Sequence, residues 1–376
     1  MRKIVLLFLA WWLWNNLILN AQVTYTAREI VKPYSGIFRP GSNLGYFPPW
    51  TDTQLANIAA GNEALGVKGV GVKAIRPGLF ESFVETWGYE LRVPTFKHYE
   101  QLGLEDNTLI VGFPSDAHRD TTRYCEEHQS ELFANLYTPI WDNGENGTPY
   151  NDENYYAAYL YRLVSLYGSY VKFWEIWNEP GFDYTGAKGW QAPGAPGNWW
   201  DNDPDPCDYK LRAPIEHYIR VLRISYEVIK TLDPSAYVCL SGTGYPSFLD
   251  AILRNTDNPD GGRVSPEYPY GGGAYFDVMG FHSYPHFDGS TREWSPQIGG
   301  FVYYRHSDAA AAGIKRTQNI YQNVLNKYGF DGTTHPKKHW IITECNVPRK
   351  SFGEFLGVGR SPVEFYHEGL CRSRAQ

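Results

Sequence analysis

Cysteine is scarce: the 376 residues contain five, Cys125, Cys207, Cys239, Cys345 and Cys371. Scattered so widely, they exclude a disulfide-built small scaffold and a zinc ribbon. Cys239 and Cys345 lie in apolar runs, where cysteine serves as a small buried hydrophobe. Cys125 and Cys207 lie in polar stretches and could pair, which their spacing alone does not decide. Basic clusters are also missing. Lys and Arg total 34 against 41 Asp and Glu, a formal charge of -7, with no basic stripe along the chain. A nucleic-acid partner, whose phosphates demand such a stripe, is excluded. Nor does any apolar run reach the roughly 20 residues of a membrane-spanning helix. The longest begins at Ile4 behind Arg2 and Lys3, is broken by Asn15 and Asn16, and ends near Ala21. It reads as an export signal over residues 1–21, giving a secreted or periplasmic protein with no membrane contact after cleavage.

Aromatic residues are abundant instead: 16% of the chain, with 13 Trp and 29 Tyr. Packing uses such side chains, and so do carbohydrate sites, which need flat apolar faces with polar rims. Short apolar runs alternate with longer helical patterns. The runs are "YSGIFRPG" (34–41), "VKAIRP" (72–77), "NTLIVGF" (107–113), "VKFWEIW" (171–177), "AYVCLSG" (236–242), "FDVMGFH" (276–282) and "KHWIITE" (338–344). Between them, residues 51–66, 154–168, 213–233 and 311–329 place apolar residues at three- and four-residue intervals, the mark of amphipathic helices. Strands apolar throughout and separated by helices predict a parallel sheet covered by helices. Seven of them fit an α/β fold of the (β/α)8 TIM-barrel type; a doubly wound open sheet is the alternative. Residues 183–208 fit neither helix nor strand. This Gly-, Pro- and Asp-rich loop carries Trp190, Trp199 and Trp200 just after "WNEP".

Several motifs carry nothing. "GVGVKA" (69–74) imitates a dinucleotide fingerprint but leads into a strand rather than out of one. Val67 stands where a phosphate loop needs Lys. His282 and His286 lack a clustered carboxylate for a metal, and Ser241-Gly242-Thr243-Gly244 lacks the flanks of a nucleophile elbow.

Two runs share one grammar, an apolar strand ending in Glu: "FWEIWNEP" with Glu179 and "HWIITECNVP" with Glu344. In a barrel of parallel strands the carboxyl ends converge on one face. Two Glu distant in sequence then face each other, as the acid and the nucleophile of glycoside hydrolysis must. A lone Glu at a strand end is more often a rim residue or an ion-pair partner; a matched pair is harder to dismiss.

"WEIWNEP" and "IITECN" resemble the acid/base and nucleophile strands of the clan A glycoside hydrolases, retaining (β/α)8 enzymes, with a lean toward families 39 and 5. That resemblance implies Glu179 as general acid/base, Glu344 as nucleophile, and Asn178 as the residue binding the substrate 2-hydroxyl. It further implies Arg76 beside the nucleophile, and His282 and Tyr284, from "FHSYP", lining the site. Trp190 is a candidate substrate platform. The partner implied is a poly- or oligosaccharide substrate, and the mechanism needs no metal and no organic cofactor. One departure stands out. The 32 residues after Glu344 show no eighth strand-and-helix pattern. The expectation is therefore a catalytic domain over 22–376, incomplete after about residue 355. Two other readings remain: an inert carbohydrate-binding barrel, and a two-lobed transport binding protein, for which no hinge linker is present.

Overall fold

The computed structural model of the protein describes residues 28, 40–44, 49–284, 292–303 and 306–345. The expected export signal, most of the first apolar run and the segment expected to lack an eighth strand lie outside those residues.

Short strands build a parallel sheet in chain order. Strands β1 (Gly41–Ser42) and β2 (Ala74–Ile75) pair in parallel. Strands β3 (Thr108–Val111), β4 (Phe173–Ile176), β5 (Tyr237–Thr243) and β6 (Val278–Ser283) follow, each parallel to the next. A hairpin unforeseen in the sequence, β7 (Arg292–Ser295) with β8 (Gly300–Tyr303), stands apart as an antiparallel pair. The last described strand, β9 (His339–Cys345), returns to pair in parallel with β6. The order β3-β4-β5-β6-β9 is thus a five-stranded parallel half-barrel. A parallel bridge from Gly78 to Ile110 carries it on to the segment leaving β2. The two ends of the row also touch, since Asn43 Nδ2 donates to the Thr343 carbonyl at 3.0 Å.

Four helices fall where the periodicity predicts them: Asp52–Ala60, Tyr155–Tyr167, Ile215–Leu232 and His306–Lys327. The first opens on a reciprocal cap, Thr51 accepting from the Gln54 amide while the Gln54 side chain accepts from the Thr51 amide. Three more, Glu81–Trp87, Val93–Gln101 and Pro246–Arg254, were not anticipated. At seven to nine residues they offer too few turns for a clear periodic stripe. Among the described residues no helix is long and apolar enough to cross a membrane.

The tyrosine content finds a structural use here. A strand's last carbonyl leaves the ladder unpaired and must bond elsewhere if buried. Tyr218, on the helix after the Trp-rich loop, donates to the Ile176 carbonyl at the end of β4 at 2.9 Å. Tyr321 caps the Thr243 carbonyl ending β5 at 2.6 Å. Tyr159 donates to the Leu79 carbonyl at 2.6 Å and accepts from the Gly112 amide at 3.1 Å, joining the exits of β2 and β3. Buried hydroxyls on the outer helices thus hold the carboxyl ends of the strands in place. Cys125 and Cys207 form a disulfide, with Cα atoms 5.1 Å apart, that ties the loop after β3 to the loop after β4.

Candidate active site

Inside the curled sheet, alternate residues stack in layers. At the amino end lies an apolar plug of Phe173, Tyr237, Cys239 and Val278, with Ile341 against it. One layer up the interior becomes polar: Glu175 of β4 is wholly buried, and a buried carboxylate needs a partner. Arg76, leaving β2, supplies it through Nε at 2.5 Å and Nη2 at 3.0 Å; Ser241 of β5 adds a hydrogen bond at 3.2 Å. Arg76 is 8% exposed, and its remaining N–H groups reach upward, Nη1 to Glu344 at 2.6 Å and Nη2 to Asn178 Oδ1 at 2.8 Å. Burial works against the Arg76 charge, but Glu175 and Glu344 outweigh it and raise its pKa. One guanidinium therefore fixes Glu175, Asn178 and Glu344 together. Arg76→Met would leave the Glu175 carboxylate buried and unpaired. We expect it to lower stability by about 3–5 kcal/mol, read from the denaturant midpoint.

The top layer carries the predicted pair. Strand β4 ends at Ile176, and the chain then turns sharply through Trp177 and Glu179, both with positive φ (74° and 48°). Backbone this unfavourable for non-glycine residues costs about 1–3 kcal/mol and is kept only where the surroundings impose it. Here Trp177 is wedged against Phe113, their rings stacked at 4.7 Å. Gly112 makes the fit possible, since a Cβ there would lie 2.5 Å from the Trp177 ring. The turn lifts Glu179 to the carboxyl end of the sheet, where its amide donates to Ser241 Oγ at 3.3 Å.

His282, at the end of β6, joins the two carboxylates. Its Nδ1 lies 2.8 Å from a Glu179 oxygen, and its Nε2 lies 3.0 Å from Thr343 Oγ1 and 3.6 Å from a Glu344 oxygen. Gly242 leaves room for the imidazole, which a side chain at that position would strike. Tyr284 donates its hydroxyl to the other Glu344 oxygen at 2.5 Å. Burial alone would raise the Glu344 pKa. The nearby His282, the Tyr284 hydroxyl and Arg76 reverse that and hold it below the usual carboxylate range. Oxygens of Glu179 and Glu344 lie within 4.8 Å of each other. Both side chains keep an open edge, at 32% and 22% exposure.

The predicted residues Arg76, Asn178, Glu179, His282, Tyr284 and Glu344 thus meet in one hydrogen-bonded network. Trp190 does not join it. Its ring is 65% exposed and stands edge-on to Tyr245 at 5.2 Å, on the loop after β4. Trp199 is wholly buried against Tyr209, Tyr245 and Phe248, a packing residue. The sequence reading missed Glu175, Ser241, Thr343 and Lys210. Lys210 donates to the Asn178 carbonyl at 2.9 Å.

Among the described residues, two groups of side chains have ligand-type atoms close enough for a cation: Glu179, His282 and Glu344, and separately Glu81, Glu85 and His118. In each, the imidazole already pairs with a carboxylate, His282 with Glu179 and His118 with the buried Glu81.

No protein-family model matches the chain, and neither does any curated protein. Solved structures similar to it include a family 39 glycoside hydrolase from the gut symbiont Bacteroides cellulosilyticus. That enzyme is 15% identical, with a TM-score of 0.36, over 88% of this chain and 59% of its own. An endo-laminarinase from Formosa is 13% identical, with a TM-score of 0.42, over 86% of this chain and 68% of its own. Fungal β-1,4-galactanases are 16% identical, with a TM-score of 0.37, over 81% and 74%. These neighbours are glycoside hydrolases. The chain spans about three fifths of the family 39 enzyme's length.

Proposed function

We propose that the chain is a retaining glycoside hydrolase acting on a poly- or oligosaccharide, with its site at the carboxyl end of a (β/α)8 barrel. The supporting observation is the closeness of Glu179 and Glu344, each of which brings one carboxylate oxygen within 4.8 Å of one from the other. Retaining enzymes hold their two carboxyl groups about 5–5.5 Å apart, and inverting enzymes about 6.5–9.5 Å apart to admit a water.

The surroundings divide the labour. Arg76, Tyr284 and His282 favour an ionised Glu344, the form that attacks the anomeric carbon. As that bond forms, the glycosidic C–O bond breaks and Glu179 gives its proton to the departing oxygen. Water then attacks the glycosyl-enzyme, Glu179 takes its proton, and Glu344 leaves as carboxylate. Asn178 accepts from Arg76 through Oδ1, and among the described residues its amide nitrogen has no partner, so it can donate to the sugar's 2-hydroxyl. The side-chain network uses no metal and no organic cofactor in this sequence of steps.

The test is a panel of aryl glycosides followed by proton NMR. The first-formed sugar should keep the anomeric configuration of its substrate; an inverted product would reject the double displacement, and no cleavage of any member would reject the hydrolase. A pH profile checks the role of Tyr284. Its hydroxyl stabilises the ionised Glu344, so Tyr284→Phe should raise the Glu344 pKa. The activity lost as pH falls should then be lost at a higher pH, and the acid limb of kcat/KM should move upward.

A further inference from the structure

Lys210 is a cation that the two-carboxylate mechanism does not require. It sits in a turn built to hold it. The Lys210 amide donates to the Phe182 carbonyl and the Tyr184 amide to the Asp208 carbonyl, each at 2.9 Å. The Cys125–Cys207 disulfide anchors the same turn three residues earlier. Its Nζ gives one N–H to the Asn178 carbonyl, next to Glu179, and lies 5.8 Å from the centre of the Phe113 ring. Among the described residues the other two N–H groups have no acceptor, and no carboxylate lies within ion-pair distance. By contrast the well-buried Arg76, Arg220 and Lys230 each have one, as does Arg223, half-buried like Lys210. Lys338 also has none, but it gives two N–H groups to the Gly273 and Phe276 carbonyls, away from the site at the start of β9.

The cation also lies within the electrostatic reach of both carboxylates. Burial pushes the Lys210 pKa down, while Glu179 and Glu344 act to keep it charged. The Glu344 charge is already met by Arg76. An anion arriving with the substrate would occupy the unused N–H groups.

We propose that Lys210 selects a substrate whose sugar beside the scissile bond carries a negative charge, either a carboxylate or a sulfate ester. An ammonium is a point charge without the planar fork of a guanidinium, so it accepts either group. This inference rests on the hydrolase reading for its location, and its test separates the two.

Kinetics would be measured on 4-nitrophenyl glucuronide against glucoside, galacturonide against galactoside, and galactoside 6-sulfate against galactoside, in both anomers. Calorimetry would compare an oligouronide with the same oligosaccharide after reduction of its carboxyls to alcohols. The wild type should favour the anionic member by about tenfold or more, the effect of one charge-assisted hydrogen bond. Added salt should shrink that ratio. Lys210→Met should bring it close to one, and Lys210→Arg should keep most of it. The carboxylate and sulfate pairs show which anion is taken. An anionic preference in calorimetry without any turnover would uphold Lys210 and reject the hydrolase. Turnover with the same ratio in wild type and Lys210→Met, or binding of neither oligosaccharide, would overturn the role of Lys210.

Discussion

Glu344→Ala should lose turnover on every glycoside, by at least about 10⁴-fold, because no covalent intermediate can form. The loss should not come from unfolding. Arg76 keeps both of its bonds to Glu175 and its bond to Asn178 when Glu344 is removed, so the layer beneath the site stays paired. Far-ultraviolet circular dichroism and a denaturant curve on the same preparation would verify this. The space left by the carboxylate should also admit azide on the nucleophile's face of the sugar. An activated aryl glycoside would then give a glycosyl azide of inverted configuration. Retained turnover in Glu344→Ala would remove this residue from the chemistry.

Glu179→Ala should behave differently, and the difference identifies its role. Proton donation matters only for poor leaving groups, so a dinitrophenyl glycoside should still glycosylate Glu344 at nearly the normal rate, while an alkyl glycoside should fall by about 10²–10⁴-fold. The second step then lacks its base, so the intermediate should accumulate and give a burst of phenolate. Azide needs no base; it should clear the intermediate and yield a glycosyl azide of retained configuration. The basic limb of the pH profile should disappear as well. Equal losses on both leaving groups, with no response to azide, would contradict the assignment.

How far the sequence disclosed this arrangement depends on the range of the forces involved. The strands were legible because a strand covered on both sides is apolar at every position, and six apolar runs coincide with strands β2 to β6 and β9. Glu179 and Glu344 stood out as carboxylates ending such runs. Glu175 did not, although it sits four residues before Glu179 in the same segment. Its charge is tolerated only because Arg76, 99 residues earlier in the chain, meets it across the sheet. The same holds for Lys210, brought to the Asn178 carbonyl by a turn that a disulfide spanning 82 residues secures. Trp190, an aromatic residue in a long polar loop, reads as a sugar platform; in the fold it is 65% exposed with its ring edge-on to Tyr245. The hairpin Arg292–Ser295 with Gly300–Tyr303 escaped notice because its strands have four residues each and an exposed apolar face, including Trp294 and Phe301, rather than a buried one. Where tertiary pairing outweighs local pattern, one chain read alone gives the residues but not their partners.

In the proposed mechanism Glu344 attacks the sugar while Glu179 stands opposite as acid and base. The most direct measurement incubates the protein with an activated 2-deoxy-2-fluoro glycoside of whichever sugar it cleaves, then maps the adduct by peptide mass spectrometry. The fluorine slows both steps, and the good leaving group restores the first, so the intermediate persists. A single glycosyl adduct on Glu344, absent from Glu344→Gln, is the predicted result. An adduct on Glu179, or none while the parent glycoside is hydrolysed, would contradict the account.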